Sequence, residues 1–308
     1  MILNVSGRCD VVAFFSDWFF KRLQAGFLDV RNPYVPKQVK RLILTPQTVE
    51  AIVFCTKNPL PILPRLQELQ PYPCLFQVTI TPYGTDIEPH VLPKSKILNA
   101  TIQLSKQLGS DHVIVRYDPI FISSTYSVAF HVKAFHSLCK RMRGYTKHII
   151  LSFLDLKKNT LRHEKDLQLL PNQEQYYEDL MFQFSKIGTE YGMQLQLCCE
   201  DYDFTQYGIS NQGCINATFL QRITGISTTY PPGNLRKHCH CVKSIDVGVY
   251  NSCCHGCVYC YANFEEDLVL ANKNAHDPNS SLLIGHLNPD DQLTMIDDII
   301  SHQLTLPL

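Results

Sequence analysis

Six cysteines fall between positions 239 and 260 of this 308-residue chain, within "HCHCVKSIDVGVYNSCCHGCVYCYANF" (238–264). Among them Cys253, Cys257 and Cys260 form C-x3-C-x2-C, a spacing that wraps a tight loop and turns three thiolates toward one centre. Three thiolates can hold three irons of a [4Fe–4S] cluster and leave the fourth iron open, which turns an electron carrier into a catalyst. Soft sulfur donors select iron–sulfur clusters or zinc over harder metals. Zinc is the competing reading, because structural zinc takes four ligands from paired cysteines and histidines, and "HCHC" with "CCHGC" approximates that. Cys239-x-Cys241 is nonetheless an awkward pair for a zinc knuckle. Buried thiols without metal are the third reading.

A second group of four remains: Cys199, Cys214, Cys239 and Cys241. Four thiolates fully ligate an auxiliary [4Fe–4S] cluster that relays electrons or binds substrate. The chain is therefore expected to carry one [4Fe–4S] cluster or two. Cys198 and Cys254 neighbour the candidate ligands but break both spacings, and Cys9, Cys55, Cys74 and Cys139 read as small buried hydrophobes. His238, His240 and His255 are further metal-ligand candidates, with polar loop filler as the alternative.

These residues need elements to position them. Short β-branched runs at 2–6, 51–56, 75–81, 112–117, 148–153 and 193–199 predict strands, several of them continuously apolar as strands covered on both faces should be. Helical stretches lie between, including "SDWFFKRLQAG" with Ser16 as N-cap and Gly26 as stop. Six successive βα units predict a parallel α/β architecture, a partial or complete TIM-like barrel over residues 1–200. Residues 201–308 form a cysteine-rich C-terminal region packed on it as one domain. In that region "KSIDVGVY" (243–250) is one more strand, expected beside the first, and "DDQLTMIDDIISHQL" (290–304) reads as a closing amphipathic helix. "RNPYVPKQVKR" (31–41), with four basic residues, reads as a solvated connector.

Polar residues follow most of the strands: Arg8 and Asp10, Lys57 and Asn58, Arg116 and Asp118, and Glu200. In a parallel barrel such positions surround one mouth. There Arg116 would clamp a carboxylate or phosphate while Asp118 and Glu200 orient ribose hydroxyls or an amine. Internal ion pairs, Arg116–Asp118 and Arg8–Asp10, are the alternative.

Lys+Arg and Asp+Glu both number 28, so no net field favours nucleic acid or an anionic membrane. No apolar run approaches the roughly 20 residues of a membrane-spanning helix. The N-terminus lacks signal-peptide features, so a cytoplasmic location with reduced thiols is expected. No Walker loop, dinucleotide fingerprint or Gly-x-Ser-x-Gly elbow is present.

"CHGCVYCYAN" resembles the cluster-binding loop of the radical S-adenosylmethionine enzymes, particularly the branch containing spore photoproduct lyase. The resemblance implies a [4Fe–4S] cluster on Cys253, Cys257 and Cys260, with S-adenosylmethionine as cofactor and Tyr259 beside the adenine or the cluster. It also implies a reducing electron donor as partner, with a small molecule, peptide or nucleic acid as substrate and no membrane. In those enzymes the loop follows the first strand, whereas here it follows about six βα units, so a permuted strand order is expected. Over nearly its whole length the chain is similar to the bacterial family catalogued as domain of unknown function 1848. The likeness rests on "RNPYVPKQV", "VFCTKNP", "TITPYGTDIEP", "VRYDPIF" and "SIDVGVYNSCCHGCVYCYAN".

Overall fold

Runs with almost no polar interruption can be buried on both faces only inside a covered parallel sheet, and six of them are. The computed structural model describes residues 1–156, 158–233 and 236–297. Their strands are β1 (Ile2–Val5), β2 (Phe27–Arg31), β3 (Gln38–Ile43), β4 (Ala51–Thr56), β5 (Cys74–Thr79), β6 (Val113–Ile120), β7 (His148–Phe153), β8 (Gln194–Leu197), β9 (Ile245–Asp246) and β10 (Gln292–Ile296). Seven form one parallel sheet in the order β8-β7-β6-β5-β4-β1-β9.

From β1 through β8 each crossover in this sheet steps to the neighbouring place. Right-handed crossovers then put the connecting helices on one face. Helices Ser16–Ala25, Lys94–Leu108, Val128–Met142 and Tyr177–Tyr191 supply Trp18, Phe19, Leu104, Phe135 and Phe184 to that layer. They meet Leu3, Val5, Ile52, Phe54, Phe76, Val78, Ile149 and Leu151. Phe54 stacks on Phe76 at 4.5 Å, with the edge of Phe19 at 5.5 Å.

The alternate residues of the same strands, Ile2, Ala51, Val53, Leu75, Ile114 and Ile150, face the other way. Their cover comes from the segment after β8: Ile215, Phe219, Leu220, Cys241 and Val242. That packing overturns the complete barrel. The inner face is filled by this segment, and neither β8 nor the two-residue β9 pairs with the other, so the sheet stays open.

The strand "SIDVGVY" does lie beside β1, with Leu3 opposite Ile245 and Asn4 opposite Asp246. Three other expectations change. Residues 31–41 are not simply a connector, because β2 and β3 pair as a hairpin whose basic residues are tied down. Arg41 pairs with Asp29 at 2.9 Å and Arg31 with Asp291 at 2.6 Å. Residues 292–296 form β10 parallel to β3, not helix, while 298–304 of that segment lie outside the described residues. Ser16 is the first helical residue and not the cap, although Gly26 ends the helix at φ +78°, in the left-handed region that favours glycine. Among the described residues no helix is long and apolar enough to cross a membrane.

Asp246 fastens the edge strand. Its Oδ1 accepts the backbone N–H of Gly7 at 3.0 Å and of Gly248 at 2.8 Å, and its Oδ2 takes Arg8 Nε at 3.0 Å. Asp246→Ala is expected to cost about 1.5–3 kcal/mol, the range for hydrogen bonds to a charged group. Urea unfolding measures it, and a loss below about 0.5 kcal/mol would show that β9 is held by other contacts.

Candidate metal centres at the strand ends

The loop after β9 closes on itself before it touches the sheet. Asn251 N–H donates to Ala262 O at 3.0 Å, Asn263 Nδ2 to Cys253 O at 2.7 Å, and Cys260 N–H to Cys257 O at 3.0 Å. These bonds bring the two ends of the C-x3-C-x2-C run together. All thirteen cysteines are free thiols.

The loop then docks onto the residues that follow β1, β4 and β5. His255 Nε2 meets Asp10 Oδ2 at 2.9 Å, and the same carboxylate accepts Lys57 N–H at 2.7 Å and Ala13 N–H at 2.9 Å. Val258 N–H donates to Ile87 O at 3.0 Å and His90 N–H to His255 O at 3.2 Å. Gly256, at φ +66°, lies so close to Pro89 and His90 that a Cβ there would stand 3.0 Å from the His90 ring. Tyr259 turns inward: its hydroxyl donates to Glu88, which also takes Lys57 Nζ at 2.8 Å, Thr81 Oγ1 at 2.6 Å and Lys94 Nζ. Burial alone would raise the Glu88 pKa, but the charges of Lys57 and Lys94 overcome it and hold the carboxyl at about 2.

Cys253, Cys257 and Cys260 lie close enough to feel one another's charge. Burial pushes the Cys257 thiol up to about 12, opposed by the neighbouring Lys57. Cys253 and Cys260 rise for the same reason, while the backbone N–H of His255 faces the Cys253 sulfur and those of Ala262 and Asn263 face Cys260. Half-buried thiols with amides and an ammonium turned toward them suit a soft cation that replaces their protons. Cys254 turns aside, toward Ser252 O.

The second group gathers differently from the sequence expectation. The sulfurs of Cys198, Cys214 and Cys241 lie within 4.8 Å of one another, and Cys214 and Cys241 are 3.4 Å apart. Cys239 lies beside Cys241 but outside the three whose sulfurs are all within 4.8 Å. Cys199 stands apart: it sits at φ +65° with its thiol on Lys237 O at 3.2 Å. In β8 Leu195 and Leu197 face the helices and Gln196 faces inward; Cys198, the next residue, continues inward, and the left-handed turn at Cys199 sends its thiol to Lys237 instead. Hydrogen bonds from Cys198 and Cys241, with the Arg116 charge, hold Cys214 well below the ordinary thiol range.

The other candidates at the strand ends are engaged within the protein. Arg116 pairs with Asp118, donates to Gln77 Oε1 at 2.9 Å and faces Cys214. Asp118 is felt by Lys57 and Tyr261, which places it near the cysteine loop. Glu200 accepts Ser152 Oγ at 2.8 Å and Phe153 N–H at 2.7 Å, and burial raises it to about 7. Arg8 pairs with Asp246, not with Asp10. Asn58 caps a turn, accepting Leu60 N–H at 3.2 Å. His238 meets Asp201 at 3.1 Å, and His240 is exposed. Glu88 and Lys94 are the partners that reading by spacing missed, because each is an ordinary polar residue in a loop or at a helix start.

Fold and sites together define an α/β protein with a seven-stranded parallel sheet and one group of three cysteine sulfurs close enough to share a metal ion. The chain belongs to the family described as "Domain of unknown function (DUF1848)", whose match spans residues 2–262 and takes in the whole seven-stranded sheet and both cysteine groups. No curated protein and no solved structure matches the chain.

Glu88→Gln leaves two ammonium groups around a neutral amide and is expected to destabilise the protein by about 3–5 kcal/mol. Glu88 has its pKa depressed from 4.5 to about 2, so its contribution is present above about 4.5 and is lost as pH falls toward 2. Denaturant unfolding of the two proteins should therefore differ most near neutrality and converge in acid. A constant difference from pH 7 to pH 3 would contradict the assignment.

Proposed function

We propose that this chain is an iron–sulfur enzyme of the radical S-adenosylmethionine type, with Cys253, Cys257 and Cys260 holding one [4Fe–4S] cluster. The observation that carries the reading is the place of the cysteine loop. It leaves β9, the edge strand beside β1, and rests on the residues after β1, β4 and β5. Ligands of parallel α/β sheets collect at these carboxyl ends. The permuted strand order thus gives the loop the neighbourhood that its sequence resemblance implies.

The sulfurs of the three loop cysteines do not all lie within 4.8 Å of one another, so they are not gathered for a single ion as those of Cys198, Cys214 and Cys241 are. Thiolates on separate irons stand farther apart than thiolates on one ion. A bound cluster with one open iron supplies the electron that breaks a sulfonium C–S bond.

The protein's own residues do the rest. Asp10 and Glu88 fix the loop, and Lys57 sets a positive charge beside Cys257 and Cys260, against the negative charge of three thiolates. Tyr259, buried between Lys57 and Tyr83, keeps water from that side. Asp118, beside the loop and paired with Arg116, is the acceptor for an amine or ribose hydroxyl at the strand ends, with Glu200 near it. A reducing donor in the cytoplasm supplies the electron, and the substrate is a small molecule, a peptide or a nucleic acid, the last without help from the zero net charge.

Anaerobic purification with iron, sulfide and zinc counts tests this on the wild type and on a Cys253→Ala/Cys257→Ala/Cys260→Ala variant. About four irons and four sulfides should be lost in the variant, and the reduced wild type should give a paramagnetic resonance signal that changes on adding S-adenosylmethionine. Zinc at the loop, or a signal blind to the cofactor, would overturn the enzyme and leave a structural metal site.

A further inference from the structure

The second group of thiols lies on the inner face of the sheet, and its geometry carries a separate conclusion. Three segments distant in sequence converge there: the end of β8, residues 213–215, and residues 239–242. Val242 N–H donates to Ile215 O at 2.9 Å and Gly233 N–H to Cys241 O at 2.8 Å. Two glycines permit the approach. A Cβ on Gly213, at φ +80°, would stand 2.7 Å from Cys241 N, and one on Gly233 would stand 2.9 Å from Cys241 O. The backbone is therefore shaped to bring Cys214 against Cys241.

We infer that Cys198, Cys214, Cys239 and Cys241 bind one tetrahedral zinc-type ion, not a second [4Fe–4S] cluster. Four sulfurs about 2.3 Å from a single ion stand about 3.8 Å from one another. Here the three best-placed sulfurs are all within 4.8 Å, with Cys214 and Cys241 at 3.4 Å. A cluster would need thiolates spread over separate irons, and the packed segments leave these sulfurs together. Four thiolates on a divalent ion leave two negative charges, and two arginines stand ready to offset them: Arg116 against Cys214 and Arg236 beside Cys198 and Cys199. Guanidinium groups in this position act as the outer shell of a metal site. The ion fastens Cys214 and residues 239–241 to the end of β8, adding to the apolar cover that Ile215, Phe219, Leu220 and Val242 give the inner face.

This conclusion stands apart from the loop cluster, and zinc reports it independently of iron. Zinc is counted in the full-length protein, and its X-ray absorption fine structure reads the ligands. About one zinc per chain bound by four sulfurs is expected. Cys214→Ala and Cys241→Ala should lose that zinc and keep the loop iron, whereas Cys199→Ser should keep both. Because the alanine variants can unfold, the wild type is also titrated with an organomercurial while a colorimetric chelator reports metal release. Zinc should appear as the four thiols react. Cobalt replacement should give the sulfur-to-cobalt charge-transfer bands of a tetrahedral thiolate site. Loss of iron and sulfide together in Cys214→Ala, a Cys214–Cys241 disulfide found by mass spectrometry, or a zinc-free protein from zinc-replete cells would overturn the inference.

Discussion

A carboxylate shut away from water must be met by positive charge or by hydrogen-bond donors, and Glu88 is met by four: Lys57, Lys94, Thr81 and Tyr259. Only Tyr259 belongs to the cysteine loop. The other three come from the end of β4, the residues after β5 and the start of the helix that follows. Asp10 works in the same way one strand along, joining His255 to Lys57 N–H. The loop is thus fixed by the strand ends it covers. Its cysteines take their positions from two buried anions that would be costly to leave unpaired.

The two cysteine groups divide along the faces and ends of the sheet. One sits at the carboxyl ends, on a loop delivered by an edge strand, with its sulfurs not all within 4.8 Å of one another. The other sits on the inner face, with its sulfurs gathered where chain segments pack closely enough to demand glycine at 213 and 233. Arg116 links them, since it spans from Cys214 to Asp118 near the loop. A spread set suits a multinuclear centre and a gathered set suits one ion. In this chain the two geometries separate a proposed reactive centre from a structural one.

Much of this was legible before the structure, for definable reasons. Continuous apolar runs such as "AIVFCT" and "HIILSF" gave strands at the expected positions. The loop's spacing and its strand located the first cysteine group and its place beside β1. Closure was not legible, because nothing in the βα alternation says what fills the inner face, and a helix of only eight residues, Ala217–Thr224, with its irregular flanks fills it. Cys199 was preferred to Cys198 through linear spacing, where the left-handed backbone at Cys199 turns its thiol to Lys237 and leaves Cys198 facing Cys214 and Cys241. Residues 31–41 looked like a solvated connector because their charges were read without the partners Asp29 and Asp291. Such pairings depend on contacts made far along the chain.

The central claim is that the loop holds a cluster with one iron differing from the others. Mössbauer spectroscopy of protein loaded with iron-57, recorded with and without S-adenosylmethionine, tests it most directly. The account predicts that about one iron in four changes its isomer shift when the cofactor is added while the rest keep theirs. Four irons that respond alike, or an iron-free protein, would contradict it.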